Sequence, residues 1–395
     1  MAEEWVNWSG SLRFTPGVVE RPNNEEAVRQ LVTQALEQKK KIRIAGAGHS
    51  SVPLVKTDQI LVEQGKMNGV IAHDEETRRV KVLPGIHIAE IGEALVRRGL
   101  SMHNTGDVDF QRLAGAFGTG THGSGIKLQN LPGMLTGCRL VDGRGRIREF
   151  TQENNPEMMN ALRVSLGALG FFTELTIQTE TARKFTREEY CTHIDTCMEH
   201  LDELINKNMM FDFYWYPRND LVKLRLCNPE GEGMNKLSFA HKIKHEEGWL
   251  YQILPRDRKL KFDEMEYAIP YEAGPACFQE IRKRVKEKHR QYVAWRLFYR
   301  TIAADEGYLS PFHKRDSVTI AVLQNNVLEH ERYFNDIEPI FRAYGGRPHW
   351  GKKFSLKAEE LRPLYPKWDE FLQIRKEMDP EGVFLNEYLK EILGV

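Results

Sequence analysis

Cysteine is scarce. There are five in 395 residues (Cys138, Cys191, Cys197, Cys227 and Cys277), and no two form a Cys-x-x-Cys pair. An odd, scattered set argues against a disulfide framework and against a zinc site, so no metal is expected and reduced thiols in a cytoplasm are the expectation. Net charge is missing too. Lys plus Arg equals Asp plus Glu at 56 each, which leaves no electrostatic footprint for nucleic acid or a membrane surface. No run approaches the ~18 apolar residues of a membrane span. The opening MAEEWVNWSG has neither the basic nor the apolar stretch of a secretory signal. Repeats and low-complexity tracts are absent. What remains is ordinary globular composition, at a length that suits two or three domains.

Periodicity gives a coarse map. Residues 23–38 read as a helix, with Asn23 and Glu26 at capping-box spacing and Val28, Leu31, Val32 and Ala35 on one face. Strands are expected at 40–46, 59–65 and 78–85, and a second amphipathic helix at 86–99 that stops at Gly99. Residues 138–150 read as a hairpin with Asp142-Gly143 at its turn. The glycine-punctuated run 165–180 enters a strand. Near residue 181 the texture becomes charge-rich, with a helix at 200–208 and strands at 212–217 and 317–323. From 346 a glycine- and aromatic-rich tail begins with "RPHWGKKF" and ends in helical sequence.

Two glycine loops carry histidines: "IRIAGAGHSS" (42–51) and "GTGTHGSG" (118–125). The first follows a strand, like half of a dinucleotide fingerprint. However, Pro53 and extended sequence follow where a helix would have to open, and Ser51 stands where a third glycine is needed, so a Rossmann site is rejected. The other phosphate-binding device is a nest of converging backbone N–H groups, which needs small residues and no helix. Two such loops in one chain suit a long, diphosphate-bridged cofactor.

Taken with "LGALGFFTELT" (166–176) and "HWGK" (349–352), these loops resemble the vanillyl-alcohol-oxidase superfamily of flavoproteins, and within it the sugar-lactone and alditol oxidase branch. The resemblance implies an α+β fold. A two-subdomain, PCMH-type FAD-binding domain (1–180) would carry an α+β cap with an antiparallel sheet (181–345), and the segment 346–395 would return to the FAD domain. It assigns to the cofactor Gly46, Ala47, Gly48, His49, Ser50 and Ser51 from the first loop. From the second region it assigns Ala114, Gly115, Ala116, Gly118, Thr119, Thr121, His122 and Gly123, with Gly170 and Phe172 beyond. His49 would bond covalently to FAD, and His122 would lie on the phosphate side.

Catalytic cations are implied at Arg300 and Lys352, with His349 in the same turn. The competing reading of Arg300 is an ion pair with Asp305 or Asp316. Against the family pattern, Phe298 replaces a glutamate, Ala321 and Leu323 replace a polar pair, and Phe354 replaces a histidine. Tyr299 is counted with these as substrate-facing. The loss of polar groups predicts a substrate less polar than a polyol, because unmatched hydroxyls would cost ~1–3 kcal/mol each. Gln324, Tyr299 or His103 are the candidates for restoring polarity. The base is left among His349, Tyr299 and water. The expected reaction is oxidation of an alcohol, with O2 as acceptor because Ala114 or Gly115 is small. The alternatives are an aldonolactone oxidase or dehydrogenase with a cytochrome or dye acceptor, and a non-catalytic flavin-binding protein. A monomer is compatible with all three.

Overall fold

The computed structural model describes residues 3–234, 236–255, 260–293 and 295–395. Three sheets organise it. Strands β1 (Val18–Glu20), β2 (Ile42–Ala45) and β3 (Ile60–Glu63) form a parallel sheet in the order β1-β3-β2. Helix α1 (Glu25–Glu37) makes the crossover from β1 to β2 and buries Val28, Val32 and Ala35. Its cap is Asn24, one residue later than the sequence suggests: the Asn24 carboxamide oxygen accepts from the Ala27 N–H at 2.8 Å.

An antiparallel sheet follows, built from β4 (Val70–Asp74), β5 (Arg79–Val82), β6 (Leu135–Val141), β7 (Ile147–Thr151) and β8 (Phe171–Gln178) in the order β7-β6-β8-β5-β4. Helices α2 (Ile88–Val96) and α3 (Leu113–Gly118) lie in the connection between β5 and β6. The β6–β7 turn is a five-residue loop closed by Asp142, whose carboxylate accepts from the N–H groups of Arg144 and Arg146. Gly145, at φ 73°, takes the left-handed position. Gly143 serves packing instead, since a Cβ there would meet the Asp379 carboxylate at 2.2 Å.

The third sheet has eight antiparallel strands: β9 (Lys184–His193), β10 (Met210–Tyr216), β11 (Leu221–Pro229), β12 (His241–Trp249), β13 (Phe262–Pro270), β14 (Leu297–Ile302), β15 (Ser317–Asn325) and β16 (Arg347–Pro348), in the order β12-β9-β11-β10-β14-β15-β13-β16. Helices α4 (Gly274–Arg284) and α5 (Glu331–Ala343) cover one face. There Phe213 stacks on Tyr299 at 4.8 Å with Phe278 edge-on, and Tyr267 stacks on Phe341 at 4.9 Å. The alternation of strand side chains leaves the opposite face of β13, β14 and β15 to the site.

The tail returns through α6 (Trp368–Met378) and α7 (Glu387–Leu393). Arg43 of β2 is fully buried and donates to the carbonyls of Leu54, Leu166, Gly167 and Phe384. Burial lowers its pKa to about 9, with the Asp379 carboxylate opposing the shift. One guanidinium thereby ties the parallel sheet, the 165–170 loop and the C-terminal segment together. Among the described residues, no helix is long and apolar enough to cross a membrane.

Candidate active site

A cleft of about 860 Å³ runs between the parallel sheet and α3. Small residues make up much of its walls: Gly46, Ala47 and Gly48, then Ala114, Gly115, Ala116 and Gly118, with Gly167 and Gly170 beyond. Gly46 and Gly115 face each other so closely that a Cβ on Gly46 would lie 3.8 Å from the Gly115 Cα. Gly48 needs its glycine outright, with φ at +68° and Trp5 3.0 Å from any Cβ. Side chains at these positions would fill the cleft, and their absence leaves main chain to meet a ligand. Ser50, Thr119 and Phe172 also line it. Ser51 does not; its N–H donates to the Gly351 carbonyl at 2.8 Å and locks the first glycine loop to the His349–Lys352 turn.

His49 stands where this cleft opens into a second cavity of about 700 Å³. Its ring lies between Trp8 and Phe110, each at 4.8 Å. Its Nδ1 atom is buried with no hydrogen-bond partner. Burial, helped by the Lys352 ammonium, lowers the imidazole pKa to about 3, so the ring is neutral at pH 7. A buried, uncharged, unpartnered imidazole nitrogen beside a backbone-lined cleft fits a cofactor that would be anchored there.

The second cavity is not apolar. Glu264 and Glu266 of β13, Arg296 and Arg300 of β14, and His349 and Lys352 of the tail turn all line it, together with Asp107, Thr121 and His122. Two carboxylate–cation pairs dominate: Arg300 with Glu266, and Lys352 with Glu264. Arg300 also donates to the His122 carbonyl at 3.3 Å. Its partner is therefore Glu266, and neither Asp305 nor Asp316. Asp305 bonds instead to Asn130 and Ser310, and Asp316 accepts from the Ala304 N–H. Burial alone would raise the Glu266 pKa, but the Arg300 charge outweighs it and holds this carboxyl well below 4.5. Burial pushes His349 well below 6.5, and it also lowers His122, with Arg300 adding to the effect. Both imidazoles are neutral at pH 7. His122, Glu266 and His349 offer three potential ligand atoms within 4.8 Å of one another. The guanidinium of Arg300 already supplies the cation there.

Backbone registration explains why these groups converge. The His349 N–H donates to the Glu266 carbonyl and the Lys353 N–H to the Glu264 carbonyl, both at 2.9 Å, so the tail turn continues the β13 edge. Across the sheet, Phe298 of β14 pairs with Ala321 of β15, which pairs with Glu266 of β13. Leu323 pairs with Glu264 in the next row and lines the cavity. Phe298 does not make the site apolar. Its ring is flanked by Arg225 at 4.9 Å and Arg300 at 4.4 Å, and Arg225 is neutralised by Asp212 and Asp107.

Several expected residues lie elsewhere. Tyr299 points to the helix-covered face, because it alternates with Phe298 and Arg300. Ala321 is fully buried within the sheet row and is too short to line the cavity. Phe354 packs edge-on against Trp350. Gly123 is packed against Asn104, whose side-chain oxygen a Cβ would meet at 2.0 Å. Thr121 and His122 line the second cavity and not the first. Gln324 donates to the Tyr292 carbonyl. The charged groups that sequence reasoning missed are Glu264 and Glu266, with Asp107 and Arg296.

Comparison with known proteins fits this geometry. Residues 225–392 match the family model for D-arabinono-1,4-lactone oxidase, and residues 16–151 match that for the FAD binding domain. The L-gulono-1,4-lactone dehydrogenase of Mycobacterium tuberculosis is 31% identical, over 100% of both chains. This chain belongs to the aldonolactone oxidase and dehydrogenase family. Among other members of the family, the L-gulonolactone oxidase of Mus musculus is 26% identical over 98% of both chains. The crystal structure of cholesterol oxidase from B. sterolicum superposes with a TM-score of 0.88 at 15% identity, covering 100% of this chain and 97% of that one, a likeness of fold alone. As an aldonolactone oxidase/dehydrogenase family member, the protein is an FAD-dependent oxidoreductase. The small residues of the cleft wall and the unpartnered His49 Nδ1 beside them fit a cofactor held there.

Proposed function

We propose that the protein oxidises a CH–OH group of an aldono-1,4-lactone, with FAD held in the first cleft and the lactone in the second cavity. One observation carries this reading: the polarity that Phe298, Ala321 and Leu323 lack is supplied by Glu264 and Glu266, paired with Lys352 and Arg300. A cavity built from buried charged groups favours a ligand whose hydroxyls satisfy them. It rejects an apolar alcohol, which would leave them unpaired. The names of the relatives point to the same substrate class.

When bound, FAD supplies an acceptor for the hydrogen that leaves carbon with its electron pair. The chain's own residues do the rest. Arg300 and Lys352 place positive charge along the cavity wall to stabilise negative charge that develops during transfer. His349 donates a hydrogen bond to the substrate. Tight packing of the His349–Lys352 turn against the His49 loop keeps water out. His49 forms the covalent attachment. Residues 1–180 and 346–395 hold the cofactor, and 181–345 roof the cavity. O2 is the proposed electron acceptor, supported by the small residues Ala114 and Gly115 in the cleft wall.

The test is anaerobic bleaching of the flavin by a panel of aldono-1,4-lactones and of aliphatic and aromatic alcohols. At least about a hundredfold preference for lactones is expected. Equal or faster bleaching by apolar alcohols would overturn the reading. Oxygen uptake against dye reduction, with the best donor, then decides the acceptor.

A further inference from the structure

The family pattern places a carboxylate on β14, where this chain has Phe298, so the identity of the base needs another source. Hydrogen bonding narrows it. His349 Nδ1 accepts from the Gly351 N–H at 3.0 Å, which leaves the proton of the neutral ring on Nε2 and makes that edge a donor. His122 Nδ1 lies 3.0 Å from the Gly123 carbonyl and so carries its proton there. Its Nε2 lies 3.4 Å from both the Arg300 guanidinium and the Glu266 carboxylate. Tyr299 is on the other face of the sheet. Glu266 differs from all of these. Its Oε1 is held by Arg300, while Oε2 is buried and has no hydrogen-bond partner. The side chain lines the substrate cavity.

The geometry points to Glu266 as the general base for this reaction, a carboxylate moved from β14 to β13 while keeping the same arginine. Two features of the sheet make the move possible. Phe298, Ala321 and Glu266 occupy one cross-strand row, and the Arg300 guanidinium lies 4.4 Å from the Phe298 ring centre as well as on Glu266. A carboxylate on either strand therefore reaches one cation. In the step, the substrate O–H bond breaks and its proton passes to Oε2. The C–H bond on the same carbon breaks and its electron pair leaves as hydride to oxidised FAD, while the C–O bond becomes C=O. The substrate loses one proton and one hydride, and nothing else is consumed.

This inference rests on the lactone reading, and the experiment separates the two. Wild type, Glu266→Gln, Glu266→Asp and the double variant Glu266→Gln/Phe298→Glu are compared by anaerobic bleaching across pH 4–9. Lactone affinity is measured by calorimetry on dithionite-reduced holoenzyme, which binds without turning over. Glu266→Gln is expected to bleach at least about 10²-fold more slowly at every pH in this range, where the wild-type carboxylate stays charged, with affinity changed less than about tenfold. Glu266→Asp, which keeps the charge, bleaches more slowly than wild type but faster than Glu266→Gln. The double variant recovers at least about tenfold over Glu266→Gln. Glu266→Gln bleaching within a few-fold of wild type overturns the assignment. An inert double variant, folded and able to bind lactone, overturns the equivalence of the two strands. If wild type is bleached by another class of alcohol, the lactone reading falls, and the same comparison with that donor still decides Glu266.

Discussion

Replacing Arg300 by Met tests the electrostatics of the site without reference to catalysis. Arg300 is 7% exposed and Glu266 1%. Removing one partner of such a buried pair costs ~3–5 kcal/mol, because the other charge stays behind in a low-dielectric setting. The pH dependence carries the sharper signature. In wild type the Glu266 pKa is depressed below 4.5, so its stabilising contribution is complete above that value and is lost as pH falls through the folded pKa. Without Arg300, burial dominates and raises the carboxyl above 4.5. The folded variant then holds a proton that the unfolded chain has released. Its stability falls as pH rises above 4.5, at up to about 1.4 kcal/mol per pH unit, until the raised pKa is passed. The stability gap to wild type should therefore widen between pH 5 and pH 8. Adding Glu266→Gln removes the stranded charge and should recover part of the loss. Urea unfolding followed by tryptophan fluorescence at pH 5, 6, 7 and 8 measures all three proteins. A gap that stays constant across this range, or a double variant no more stable than Arg300→Met, refutes the reasoning.

Two further outcomes follow from other contacts. Wild-type protein should retain flavin fluorescence on a denaturing gel, and His49→Ala should lose it while still binding FAD when folded; a wild type that releases all its flavin on unfolding sinks the covalent link. Arg43→Met strands four carbonyls on three segments, three of them buried, and should cost at least about 2 kcal/mol and lower flavin content. Arg43→Lys, lacking the planar fork, should recover little of either in a thermal melt with flavin quantitation.

Much of the cofactor side was legible in the sequence because glycine announces backbone geometry locally. The first loop could be read as a wall of small residues, and 46–48 lines the cleft; of the second loop, read at 118–125, Gly118 and Thr119 line it too, while Thr121 and His122 face the second cavity. The helix at 23–38 and the strands at 212–217 and 317–323 followed from periodicity, with errors confined to caps and ends. One mistake was avoidable: Phe298, Tyr299 and Arg300 are consecutive on a strand, so Tyr299 could not share a face with its two neighbours.

The substrate side was illegible for a different reason. In "FDEMEY" the pair Glu264 and Glu266 falls on one face of a strand, but the sequence gives no sign of which face, nor of what lies opposite. Both facts come from pairing with β15, itself paired with β14, and from the tail edge at 347–354. A position-by-position comparison scores Phe298 as a lost carboxylate and concludes that the cavity turned apolar. The sheet shows that the relevant unit is the cross-strand row, because side chains on neighbouring strands lie within reach of the same cation. Charge can move along such a row without leaving the site, provided the vacated position still packs. Phe298 packs between Arg225 and Arg300, so a carboxylate two strands away can hold the same cation, which is what assigning the base to Glu266 requires.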